Sequence, residues 1–168
     1  MKTLTDHLAQ YAANHRNKRN IVTHFIGIPL IVIAVAILLS KPSLTIYGLP
    51  LSPATLTLCI ATVFYLQLDA RLGVSMFIFL IFCLWLGSLC AQLPTRQWLT
   101  WGLSCFILGW VMQFIGHMYE GRKPAFVDDI MGLAIGPLFV MAELAFACGL
   151  RQSLKDDIEQ RLNPNISP

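Results

Sequence analysis

The strongest constraint on this chain is a succession of long stretches with no charge. Ile21–Ser40, Pro42–Leu68, Leu72–Thr95 and Gln97–Tyr119 carry no Asp, Glu, Lys or Arg, and Ile130–Leu150 carries only Glu143. A helix needs about 20 mostly apolar residues to cross a bilayer, and each stretch meets or nearly meets that length. Only 12% of the residues are charged, against about 25% in a soluble domain. A mean hydropathy of +0.64 agrees that the chain is built for lipid. The expectation is an all-α, polytopic membrane helix bundle with about five hydrophobic segments, preceded by an amphipathic helix.

The spans are expected at about Ile21–Leu39, Ala54–Leu68, Leu72–Leu93, Trp98–Met118 and Ile130–Leu150. Between the first two lies Lys41–Pro53, a turn-rich connection with three prolines and Gly48. Asp69-Ala70-Arg71 reads as a tight capped turn. Residues 1–20 do not read as a cleaved signal peptide, because no short apolar run with a small-residue cleavage site follows early. Leu4, Leu8, Tyr11 and His15 recur at i, i+4, i+7 and i+11, which predicts one apolar face of a helix over 3–15. The length of 168 residues suits one integral membrane domain. It divides into the amphipathic helix (1–20), the bundle (21–150) and a polar tail (151–168). In the fifth segment Gly136-Pro137 is a candidate break, which would let the segment bend or re-enter.

Lys and Arg near span ends favour the cytoplasmic side. With the N-terminus inside, that side holds Lys2, Arg16, Lys18, Arg19, Arg71, Arg122 and Lys123. The outer loops between the first four spans hold only Lys41 and Arg96. This topology predicts a bacterial inner membrane or endoplasmic reticulum membrane protein with its polar face in the cytoplasm. It also accounts for the net charge of +3, which therefore gives no argument for nucleic acid. Arg151, Lys155 and Arg161 fit only if the fifth segment turns back. Trp98 and Trp101 suit the outer interface. Gly102, Gly109 and Gly116, spaced by seven, suit close helix packing. The five cysteines all lie in apolar stretches without a C-x-x-C and read as packing residues.

The same topology collects the reactive side chains at one rim. All four histidines, His7, His15, His24 and His117, fall there, together with Asn20, Asp69, Glu120, Asp128 and Asp129. Gln113, His117 and Glu120 share one helix face at i, i+4 and i+7. Asn17, Asn20 and His24 do so at i, i+3 and i+7. Polar groups at membrane depth are costly and usually face a cavity or the bundle interior. Imidazoles bind Fe, Zn, Cu or Ni, and two histidines plus a carboxylate with open positions suit oxygen-activating Fe(II). Asn20 and Gln113 could orient ligands or substrate from beside the metal. His7 could equally be an ordinary interfacial residue, and Glu120 could simply pair with Arg122 or Lys123. Four histidines cannot fill the H-x-x-x-H and H-x-x-H-H boxes of membrane di-iron enzymes. No G-x-S-x-G elbow or H-E-x-x-H is present.

Three stretches carry a family resemblance. They are Tyr11…His15…Asn20-x3-His24-x2-Gly27-x-Pro29, then Gln113-Phe114-x-Gly116-His117-x2-Glu120-x3-Pro124-Ala125, then Gly136-Pro137-Leu138-Phe139-x3-Glu143. With them the chain resembles the small membrane 2-hydroxy-fatty-acid dioxygenases over about residues 3–150. The resemblance implies an Fe(II)-dependent oxidoreductase of fatty-acid α-oxidation. Such an enzyme takes a 2-hydroxy fatty acid and O2 and yields the acid one carbon shorter. It implies His15, His24 and His117 as iron ligands; Glu120 or His7 would complete or support the site. His7 lies outside the motifs. The acyl tail would lie among the spans, in contact with membrane lipid, and the acid head would meet Arg122, Lys123 or Arg71. The competing readings are a non-catalytic haem- or metal-binding membrane protein and a lipid-binding structural bundle.

Overall fold

The computed structural model describes residues 2–46, 49–121 and 131–163. Among these residues the chain forms seven helices and one short hairpin. The helices are α1 (Leu4–Ala13), α2 (Lys18–Leu38), α3 (Pro53–Leu68), α4 (Ala70–Ala91), α5 (Thr95–Glu120), α6 (Met131–Ala147) and α7 (Gln152–Leu162). The hairpin, β1 (Leu44–Ile46) and β2 (Leu49–Leu51), lies in the proline-rich connection and pairs antiparallel. It is a small exception to the all-helical expectation.

Three helices are long and apolar enough to cross a membrane: α2, α4 and α5, with 21, 22 and 26 residues. At about 1.5 Å per residue each exceeds the roughly 30 Å of a hydrocarbon core. The expected second span, α3, has 16 residues and is shorter. The expected fifth span differs most. Pro137 sits inside α6 without ending it, and the chain breaks farther on, where α6 and α7 meet at 117°. The cause is local. Gly149 has φ +76, the left-handed conformation that glycine adopts without a Cβ penalty. Leu150 N–H donates to the Ala145 carbonyl at 2.8 Å and Gly149 N–H to Phe146 at 3.0 Å, which pairs carbonyls that a helix end leaves open. The bend is thus written in Gly149 rather than in Gly136-Pro137.

The described residues group into two compact units. One takes Ile26–Met112, the other Met1–Phe25 with Gln113–Pro168. In the first, α3 and α4 pack as a helical hairpin hinged on Asp69, which ends α3 and starts α4. Its N–H donates to Tyr65 O at 3.0 Å, and its carboxylate accepts from Leu72 N–H at 2.8 Å, a helix N-cap. A Cβ at Gly73 would come within 2.8 Å of the Leu66 backbone, so glycine permits this close approach. Farther along, the bare face of α5 at Gly109 lies against Gly27 and Ile31. The Trp98 indole N–H donates to Ile37 O at 2.6 Å; this expected interfacial indole straps α2 to α5, whereas Trp101 is exposed. Large apolar side chains such as Val74, Ile78, Phe82 and Trp85 on α4, and Ile107 and Leu108 on α5, are exposed. A soluble monomer rarely shows so much contiguous apolar surface, and a bilayer would cover it. These helices fit a membrane protein.

In the other unit α1 starts at a capping box: Thr3 N–H donates to Asp6 Oδ2 at 2.8 Å and Asp6 N–H to Thr3 Oγ1 at 3.3 Å. The expected face is buried at Leu4, Leu8 and Tyr11, and continues to His15 just past the helix end. It packs on α6 and α7, where Leu154 and Ile158 are buried and Arg161 pairs with Asp6. Glu143, half-buried on α6, lies in electrostatic range of Lys155 on α7. All five cysteines are free.

Candidate metal centre

Three segments of this unit bring three histidines together. His15 lies in the short link after α1, His24 on the second turn of α2, and His117 on the last turn of α5. Their exposures are 3%, 1% and 6%. Ring centroids are 4.6 Å apart for His15 and His24, and 5.1 Å for each of these with His117. One ligand nitrogen from each lies within 4.8 Å of the other two. Bonds of about 2.1 Å to one ion place ligand nitrogens roughly 3 Å apart, a distance that small ring rotations close.

The hydrogen bonds fix which nitrogens are free. His15 Nδ1 lies 2.7 Å from Tyr11 O, and His24 Nδ1 lies 2.9 Å from Asn20 O. A carbonyl only accepts, so both Nδ1 atoms carry the proton and both Nε2 atoms keep a lone pair. Those Nε2 atoms, and His117 Nδ1, are buried with no hydrogen-bond partner among the described residues. A backbone carbonyl holding the far side of a metal-binding imidazole is the usual device for setting its tautomer. Burial lowers the His15 pKa, opposed by the Tyr11 carbonyl and the Glu120 charge, which favours the neutral, ligating form. Three neutral imidazoles suit Fe, Zn, Cu or Ni. The residues therefore fit a transition metal.

Glu120 is not among the three grouped side chains. Its Oε1 accepts from Arg16 N–H at 2.9 Å, and its Oε2 accepts from Asn17 N–H at 2.9 Å and from Asn20 Nδ2 at 3.0 Å. Asn17 adds a bond from Nδ2 to Tyr119 O at 2.9 Å, and its Oδ1 accepts from Arg19 N–H at 2.9 Å. The carboxylate thus ties the end of α5 to the link that carries His15 and to the start of α2, where a negative charge also suits the helix dipole. His7, half-buried on α1, is not in the ligand group. Asn20 joins the site twice, by its carbonyl to His24 and by its amide to Glu120. Gln113 is buried one turn before His117. Arg71 is exposed on the first turn of α4, in the other unit. Arg122 and Lys123, with Asp128 and Asp129, lie outside the described residues.

Tyr11, Phe139 and Gly116, read in the sequence as packing or motif residues, also border the cluster. Tyr11 stacks on His15, with centroids 4.1 Å apart and planes at 5°, and Phe139 of α6 packs on Tyr11 at 4.8 Å. The i, i+4 relation of Tyr11 and His15 was visible, but the shape of the α1–α2 link was not. Gly116 lets α2 approach: a Cβ there would meet Thr23, Asn20 and His24.

Comparison with known proteins gives this geometry a family. The model of the family described as "2-hydroxy-palmitic acid dioxygenase Mpo1-like" matches residues 1–148. The chain belongs to this family. It is 31% identical over 163 residues to 2-hydroxy-palmitic acid dioxygenase MPO1 of Saccharomyces cerevisiae, covering 95% of this chain and 89% of the yeast protein. All three clustered histidines lie within the stretch matched by the family model. No solved structure matches the chain.

Proposed function

We propose that this protein is a membrane dioxygenase that converts 2-hydroxy fatty acids, with O2, to the fatty acid one carbon shorter. The observation that carries this reading is the convergence of three buried, unpartnered imidazole nitrogens in a chain of this family. His15, His24 and His117 would hold one Fe(II). Three protein ligands leave coordination positions open, so the bound iron would supply a site where O2 and an α-hydroxy acid meet.

The protein's own residues set the conditions. Tyr11 O and Asn20 O keep the Nδ1 protons of His15 and His24 in place, so both rings offer their other nitrogen. Tyr11 and Phe139 wall the cluster with aromatic surface and limit water. Glu120 fixes the link that presents His15. The acyl tail would run along apolar helix faces. The electron balance needs no further reductant. Conversion of a 2-hydroxy acid to the shorter acid and carbon dioxide releases four electrons, which one O2 accepts, leaving one oxygen in the new acid and one in water.

The test is anaerobic purification with Fe(II), followed by 2-hydroxypalmitate and O2. The expected result is about one iron per chain and a 15-carbon acid, with iron and product both lost in His117→Ala. Stoichiometric zinc with no turnover after iron loading would overturn the reading.

A further inference from the structure

Resting on the reading above, we infer that Gln113 and Asn20 form a hydrogen-bonding pair that recognises the α-hydroxy carboxylate head of the substrate.

Among the described residues, six buried side-chain nitrogen or oxygen atoms lack a hydrogen-bond partner. Five belong to the histidine unit: His15 Nε2, His24 Nε2, His117 Nδ1, Asn20 Oδ1 and Gln113 Nε2. An orphaned buried polar group costs free energy comparable to a lost hydrogen bond, and folded proteins keep few of them. Their concentration in one place marks a ligand site. The three nitrogens are accounted for by a metal. One acceptor and one donor remain.

Their placement is specific. Gln113, 5% exposed, is one helical turn before His117 on α5, and residues four apart share a helix face. Asn20, 0% exposed, gives its Nδ2 to Glu120. That bond fixes the orientation of the amide and leaves Oδ1 on the opposite side, against Gly116, three residues after Gln113. The free acceptor, on α2, therefore lies against the turn of α5 that follows the one carrying the free donor.

A ligand that satisfies both must donate one hydrogen bond and accept another. An α-hydroxy carboxylate does so: its hydroxyl donates to Asn20 Oδ1, and a carboxylate oxygen accepts from Gln113 Nε2. An unsubstituted acid, or a 2-oxo acid, offers no donor and leaves Asn20 Oδ1 unpaired. Gln113 thus holds any acid, and Asn20 selects the hydroxyl. A hydrogen bond to a charged group is worth about tenfold or more in affinity.

The experiment measures equilibrium binding of 2-hydroxypalmitate, 2-oxopalmitate and palmitate to anaerobic Fe(II)-loaded protein, where no turnover occurs. Wild type is compared with Gln113→Met, which removes the donor at similar volume, and with Gln113→Glu, which keeps the shape and turns donor into acceptor. We expect wild type to prefer the hydroxy acid by about tenfold. Gln113→Met should retain its iron, bind all three acids about tenfold more weakly and keep the hydroxyl preference; Gln113→Glu should lose more. Wild-type affinity in both variants would overturn the inference while leaving the functional reading intact. So would the absence of any hydroxyl preference in the wild type. Loss of iron in both variants would make Gln113 a support of the histidines and overturn its role in recognition. Iron-loaded wild type that binds none of the acids would overturn the functional reading as well.

Discussion

Removing one imidazole from the cluster leaves two nitrogens that cannot hold an ion firmly. On the proposed iron site, His15→Ala and His24→Ala are therefore expected to behave like His117→Ala, each failing to retain iron in elemental analysis. Glu120→Gln separates positioning from ligation. The amide keeps one acceptor oxygen where the carboxylate served Arg16, Asn17 and Asn20 with two. Metal affinity should fall about 10- to 100-fold, the usual cost of a lost supporting hydrogen bond at a metal site. A competition titration with a chelator measures it, and unchanged affinity would remove Glu120 from the support of the site. The three grouped histidines were legible in the sequence because the apolar segments gathered all four histidines at one rim and the motifs of the family resemblance set His15, His24 and His117 apart from His7. Glu120 was expected to complete or support the site, but its hydrogen-bond partners were not legible. Its partners are backbone N–H groups more than a hundred residues earlier, and no side-chain pattern records those.

Helix-scale packing depends on α5 presenting no side chain at Gly116. Gly116→Ala would drive a methyl group into Thr23, Asn20 and His24. Overpacking of this kind costs about 1–3 kcal/mol, and here the strain falls on a histidine of the cluster. Reduced thermal stability together with weaker metal retention is the expected outcome; a variant with both at wild-type values would show that α2 can retreat freely. Thr3→Ala should cost about 1 kcal/mol by removing the α1 cap, read as a lower melting temperature. Most helices were legible from apolar runs, and α1 from its period. The β1–β2 hairpin was hidden in a stretch that proline and glycine marked only as turns. The end of the fifth segment was legible to within a few residues, but its bend was sought at Gly136-Pro137, the louder signal, although a proline within an apolar helix can be tolerated when neighbouring groups compensate for its missing N–H. Gly149, at a positive φ, set the true boundary.

On the scale of the whole molecule, the two ends of the chain belong to the same unit. Truncation after Gly149 would strip Leu154 and Ile158 from α1 and delete the partner of Asp6. We expect the amides of α1 to exchange hydrogen faster in that variant; unchanged protection would mean that α1 is held by α6 alone. The contact between α1 and α7 also imposes a rule of parity. Two polar-sided helices that touch must emerge on one side of the bilayer, so the chain between them crosses an even number of times. Crossings by the three long helices α2, α4 and α5 alone would be an odd number, so we expect the short α3 to supply a fourth. The helix α6 then makes no net crossing. We therefore expect Arg151, Lys155 and Arg161 on the side of the N-terminus, and a protease added to sealed vesicles should reach both ends of the chain or neither.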